Sequence, residues 1–205
     1  MTPSDLEPGS PEESSVDTPA WIPWLTGLGG TRIAFLWGFM EGSFFFIVPD
    51  LILTITALFH LRSAMRQMGF AILGALVAGS ILFSWASQNP QSAKAAVLKV
   101  PFVRVSMVED VGVDFDQYGA TAMLRGPASG IPYKLYAVEA PKYVSFPIFL
   151  MMTVPARLER LLISLTLFGV AGWLFRKQIA AHPRRALSLH LLYWIGIYAY
   201  YWSVI

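Results

Sequence analysis

YGATAMLRGPASGIPYKLYAVEA, residues 118–140, is long enough to read as a membrane crossing but is not built like one. Crossing about 30 Å of hydrocarbon takes roughly 20 apolar residues in one helix. This stretch is only moderately apolar, is broken by Gly126, Pro127, Gly130 and Pro132, and carries Arg125, Lys134 and Glu139. A loop buried that deep survives only where protein or water covers its backbone. The reading that fits is a bend, with GPASG at 126–130 at its tip. GPASG lacks the Gly-Lys-Ser ending of a phosphate-cradling loop.

Working outward, four apolar runs stand around it. The run 33–61 is long enough to cross but contains Glu41, Pro49 and Asp50. The run 68–87 is free of charge and offers Gly69, Gly74, Gly79 and Ser80 as a face for close helix approach. The run 144–175 is interrupted by Pro147, Pro155, Arg157, Glu159 and Arg160, and the run 186–205 ends rich in Tyr and Trp. Between 87 and 117 the chain is polar. There Ala96, Val97, Val100, Val103 and Met107 recur at helical spacing opposite basic residues, which predicts a helix lying in the interface.

Basic residues concentrate in two short connectors, at Arg62 and Arg66 and at Arg176, Lys177, Arg184 and Arg185. The positive-inside rule places both in the cytoplasm. An even number of crossings must then lie between them, and 68–87 with 144–175 supply two. Segment 118–140 therefore enters and leaves on the outer side as a re-entrant hairpin. Parity does not force the same on 33–61, but Gly42 and Pro49 could bend it back toward the cytoplasm. If so, two hairpins of opposite orientation meet near the midplane, as in transporters.

Composition agrees with a bilayer setting. Charged residues are 14% of the chain, against about 25% in soluble domains. A net charge of +2 offers no broad basic field, so nucleic acid is not an expected partner. The absence of cysteine removes disulfides, thiolate metal sites and a Cys nucleophile. The first 20 residues hold five acidic groups and no basic one, the reverse of a signal peptide, and read as a disordered acidic tail. The expected organisation is a tail over 1–30, a membrane domain over 31–175, and a basic cytoplasmic loop with an extra C-terminal helix over 176–205. The expected fold class is an all-α membrane protein with about three spanning helices, two re-entrant hairpins and an interfacial helix.

Charges inside apolar segments cost about 2.5 to 3.5 kcal/mol each on insertion scales. Eight stand out: Glu41, Asp50, Arg125, Lys134, Glu139, Arg157, Glu159 and Arg160. Their balance of four acids and four bases points to pairing around a shared polar cavity. On the functional reading Arg157 and Arg160, with Lys134, hold an anionic headgroup, since guanidinium matches phosphate oxygens. Glu41 and Asp50 would couple protons, because a low-dielectric site favours the neutral form of a carboxylate. On the structural reading the same charges are pairs, or long side chains reaching the interface. His60 and His190 lie at apparent membrane edges without a partner at ligand spacing, so no metal or other cofactor is expected. Ser43 lacks a nucleophile elbow and a partner His, and no enzyme activity is expected.

The patterns resemble the DedA family (SNARE-associated, or VTT-domain, membrane proteins), near its short YqaA-like branch. FMEGSFFFIVPDLIL at 39–53 resembles the first re-entrant motif, on Glu41, Pro49 and Asp50. YGATAML at 118–124 with SGIPYKLYAV at 129–138 resembles the second, with its Pro-Tyr-Lys core on Pro132, Tyr133 and Lys134. PARLERLL at 155–162 resembles the paired arginines that follow. Phe46 and Val48 stand where the family has prolines, Gly130 replaces another, and Glu139 replaces a small residue. The resemblance implies flipping or scrambling of an anionic lipid, a polyprenyl phosphate or a phospholipid, linked to the proton gradient of a bacterial inner membrane, with the N-terminus cytoplasmic. The expected partners are such lipids and protons, and the last helix is where another copy or a membrane partner would bind. The competing reading is a scaffold that keeps the fold without transport.

Overall fold

The computed structural model describes residues 19–204, which fold as helices without a strand. Helices α1 (Trp21–Thr26), α2 (Leu28–Ser43), α3 (Asp50–Phe59) and α4 (Leu61–Gln88) come first. Short helices α5 (Pro90–Val97) and α6 (Val105–Tyr118) follow, then a 3-10 turn at Gly119–Leu124, α7 (Gly126–Ser129), α8 (Tyr133–Glu139) and a 3-10 turn at Ala140–Lys142. The chain ends in α9 (Phe146–Leu174), α10 (Arg176–Ala181) and α11 (Pro183–Val204).

The frame is the α2/α4 pair. Every fourth residue of α2 on its inner face is small, at Gly30, Ala34, Gly38 and Gly42. Opposite, α4 presents Ala64, Ala71, Gly74, Ala75 and Ala78. A Cβ on Gly38 would come within 2.1 Å of the Ala71 carbonyl oxygen, and one on Gly74 within 2.1 Å of the Phe35 carbonyl oxygen. The two backbones touch, so no other residue type fits either position. Gly69, expected on this face, points into open space, and Ser80 bonds back to the Leu76 carbonyl at 2.7 Å.

Two apolar cores flank a charged layer. One gathers the end of α4 with α5, α6, α8 and the start of α9; the other gathers α2, α3, the start of α4 and the later part of α9. On α9, Ala156 belongs to the first core and Leu161 to the second, and Arg157 and Arg160 lie between them. Burying apolar area on both sides, at about 25 cal/mol per Å², is what offsets holding charge in the middle.

Both broken segments double back. After Ser43 the chain leaves the helix, Trp37 Nε1 donates to the Ile47 carbonyl at 2.8 Å, and α3 returns until the Phe59 ring lies 5.2 Å from that of Trp21. In the second, Gly130 takes a left-handed φ of 74°, and α8 returns beside α6, where the Tyr136 hydroxyl donates to Asp114 at 2.8 Å. Of the expected bend residues, Pro49 precedes α3, Gly126 and Pro127 open α7, Gly130 makes the turn, and Pro132 precedes α8.

Three expectations change. The tail expected over 1–30 is helical from 21–26 and again from Leu28, because Trp21, Ile22, Trp24 and Leu25 supply an apolar start; 1–18 lie outside the described residues. The continuous helix expected through Ala96–Met107 is two helices, since Pro101 disfavours the helical conformation before it and Phe102 sits at φ 66°. Among the described residues, one helix, Leu61–Gln88, is long and apolar enough to cross a membrane. Helix α9 has the length but carries Arg157, Glu159 and Arg160 at its middle.

Candidate functional site

The charged layer is assembled by four elements. Glu41 comes from the last turn of α2, Asp50 from the first residue of α3, Lys134 from α8, and Arg157 and Arg160 from α9. Spacing of three on α9 puts both arginines on one side of the helix. Ser164, one turn on, extends the same row.

Arg157 donates through Nη1 to Glu41 Oε1 at 3.3 Å and forms an ion pair with the other oxygen through Nη2. Both are buried. The guanidinium carbon also lies 4.9 Å above the Tyr133 ring, whose face attracts a cation. Thr153 donates to the Phe149 carbonyl at 2.9 Å, so its hydroxyl proton is taken and Tyr133 is the donor in their 3.0 Å bond. That bond fixes the ring under Arg157.

Asp50 receives Arg160 Nη2 at 2.9 Å on one oxygen and the Ser164 hydroxyl at 2.7 Å on the other. It also opens α3, where the helix dipole favours negative charge. Two carboxylates are thus matched to two arginines.

Lys134 has no such match. It is 2% exposed on α8, a helix whose seven side chains are all buried, and its ammonium donates to the Phe45 carbonyl at 2.9 Å. No carboxylate pairs with it among the described residues. An ammonium has three donors, and that carbonyl takes one. The same bond ties the turn of the first doubled-back segment to the second. Three cations face two carboxylates here, a surplus of one positive charge.

These groups border a cavity of about 270 Å³, with Glu41, Lys134, Arg157 and Arg160 in its wall. The remaining wall is largely apolar and aromatic, including Phe46, Phe102, Ile131, Trp194 and Tyr198. Its charged groups suit an anion and its apolar lining suits a hydrocarbon.

The other expected residues lie elsewhere. Arg125 is half exposed, pairs with Asp114 at 3.1 Å and covers the Tyr118 ring at 4.4 Å. Glu139 is buried and pairs with Lys142, and Glu159 is exposed. Ser43 bonds back to the Phe39 carbonyl at 2.8 Å, and His60 caps α4 by accepting from Ser63 N at 3.2 Å. His190, expected at an edge, is buried against Thr54 at 2.8 Å. Among the described residues no group of His, Asp and Glu is arranged to hold a metal.

Ser164, Thr153 and the Phe45 carbonyl were not expected. Ser164 was findable from its place in the 157/160/164 row; the carbonyl carries no sequence signal. Comparison with protein-family models, with curated proteins and with solved structures gives no match, so the argument for function rests on this geometry.

Proposed function

We propose that the chain is a membrane transporter of DedA-like architecture that moves an anionic lipid, a phospholipid or a polyprenyl phosphate, with proton coupling through Glu41 and Asp50. The broken segments 33–61 and 118–140 are its two re-entrant hairpins, and Leu61–Gln88 is a spanning helix. The setting is an inner membrane, with the N-terminus cytoplasmic. The observation that carries this reading is Lys134, a buried ammonium without a carboxylate partner among the described residues, in the wall of a largely apolar cavity. A buried unpaired charge is costly, and a bound headgroup anion would supply the missing partner.

Arg157 and Arg160 stay engaged with Glu41 and Asp50 until an anion competes for them. A proton arriving on either carboxylate weakens its hold on the arginine and frees donors for phosphate. Release of the proton restores the pair and expels the anion.

The test is Lys134→Met in proteoliposomes carrying a fluorescent phospholipid. Arg157→Ala is a poor test because it strands buried Glu41, whereas Lys134→Met leaves Glu41 and Asp50 paired. Transport is expected to fall about tenfold or more, the value of one charge-assisted hydrogen bond, with folding intact. Undiminished transport would refute the assignment.

The scaffold reading is favoured by one observation, the exposed apolar side of α11 at Leu189, Leu192, Ile195 and Tyr200. It requires that Lys134→Met be silent and that removal of 186–205 abolish function.

A further inference from the structure

Helix α11 meets the rest of the molecule along a narrow seam, with the Tyr193 ring 5.3 Å from that of Phe168 beside it. His190 and Trp194 are its buried side chains among the described residues, and Tyr198 is half-buried. Their spacing of four puts them in one row along the helix. Each contributes an aromatic ring with a polar tip, and each tip reaches a specific partner.

Two of the tips converge on Thr54 of α3. Its hydroxyl donates to the Asp50 carbonyl at 2.6 Å, so its lone pairs are left for Trp194 Nε1 at 3.1 Å and His190 Nε2 at 2.8 Å. His190 is then the tautomer protonated on Nε2, and its Nδ1 is buried without a partner. The third tip, the Tyr198 hydroxyl, accepts from Val48 N at 2.9 Å, in the turn of the first doubled-back segment. Trp194, Ile197 and Tyr198 are also wall of the cavity.

The connection to α9 is jointed. The chain leaves helical hydrogen bonding at Phe175, makes the six-residue α10, and breaks again at His182 before Pro183. Gly196 of α11 faces open space, and among the described residues nothing on α11 corresponds to the backbone contact that locks α2 to α4.

We propose that α11 is a removable wall of the cavity, latched by Thr54 and by the Val48 amide, and that ligands enter and leave when this latch opens. Closed, it presents Trp194, Ile197 and Tyr198 to the apolar part of the ligand. The unpartnered Nδ1 of His190 keeps the closed latch from being fully satisfied, so opening costs little. The latch sits on the same residues that shape the anion site: Thr54 bonds to the Asp50 carbonyl, and Val48 lies three residues from the Phe45 carbonyl that holds Lys134. Loosening α11 therefore reaches the turn of the first doubled-back segment and, through the Phe45 carbonyl, Lys134 of the second. What the wall encloses rests on the transporter reading; that it opens does not.

The test uses the absence of native cysteine. Ala156→Cys places a thiol in the cavity wall, and Ala93→Cys places a control thiol in the core of the α5 region. Labelling by a polar maleimide is followed in detergent, without any lipid substrate. Tyr198→Phe, which removes one latch hydrogen bond, should speed labelling at 156 by about threefold to tenfold, and Thr54→Val, which removes two, by at least as much, while labelling at 93 stays constant. In the opposite direction, joining Val48→Cys to Tyr198→Cys with a short bifunctional maleimide in the otherwise native chain should hold the wall shut and, on the transporter reading, stop transport. Equal labelling of 156 in all variants, or equal acceleration at 93, overturns the removable wall. Loss of lipid transport in Lys134→Met has no bearing on these rates, so the two proposals fail separately.

Discussion

The α2/α4 seam and the α11 seam are both helix contacts organised every fourth residue, yet they are made of opposite materials. In the first, Gly38 and Gly74 bring backbone to backbone, with no side chain between that could rotate away. In the second, His190, Trp194 and Tyr198 reach across with polar tips. Close-packed backbone has one arrangement and tolerates no added atom. A row of hydrogen-bonded tips has a made and an unmade state that differ by a few bonds. The first suits a frame and the second a moving part.

The largest effect is expected where the frame is opened. Gly38→Leu together with Gly74→Leu drives two isobutyl groups into backbone carbonyls 2.1 Å from their first carbon, a displacement that repacking cannot absorb. No folded protein is expected by circular dichroism and gel filtration in detergent. A folded double variant would mean that α2 and α4 are not a fixed unit.

Next comes the charged layer that both seams border. Glu41→Ala leaves Arg157 buried without its carboxylate and should cost about 3 to 5 kcal/mol in denaturant titration. Glu41→Leu with Arg157→Met removes both charges at similar volume and should recover most of that loss, because a buried pair and an apolar pair of similar volume are often close in stability. A double variant as weak as the single would show that Tyr133 and Thr153, not Glu41, hold Arg157 in place.

How much of this was legible beforehand follows from the same division. The breaks at Pro49, Gly126, Gly130 and Pro132 are readable because proline and glycine act locally, and the cost of burying charge alone groups eight residues, of which Glu41, Asp50, Lys134, Arg157 and Arg160 share one layer. Which acid met which base was not readable, since Glu41 to Arg157 and Asp50 to Arg160 are separations of more than a hundred residues fixed by α3 packing on α9. Gly69 and Gly74 look alike in sequence, and only the rotation of α4 about its axis decides that one meets Phe35 and the other nothing. Arg125, Glu139 and Glu159 were grouped with the site on charge alone and belong to local pairs or the surface. The α11 row was missed because each member is aromatic, and aromatics near a chain end read as headgroup anchors before they read as a latch.

Smaller effects belong to the second seam. Thr54→Val keeps shape and volume but removes the acceptor of Trp194 Nε1 and His190 Nε2, two hydrogen bonds with a net value of about 1 to 3 kcal/mol. Denaturant titration should place it well above Glu41→Ala in stability. A loss as large as that variant's would move Thr54 from the latch to the frame.

The smallest effect is expected from Tyr198→Phe, which removes one oxygen and changes no apolar contact. The Val48 amide loses its acceptor at 2.9 Å, about 1 kcal/mol by the usual net value of a hydrogen bond. If α11 were part of the frame, that loss would appear as a fall in global stability, since nothing could open short of unfolding. If it is a wall held by tips, the loss falls on the local opening equilibrium, and amide exchange should rise in residues 44–49 and along α11 while α2 and α4 keep their protection. Hydrogen exchange of this one variant separates the two cases even where denaturant midpoints cannot, because the readout is where the amides exchange and not how much stability is lost.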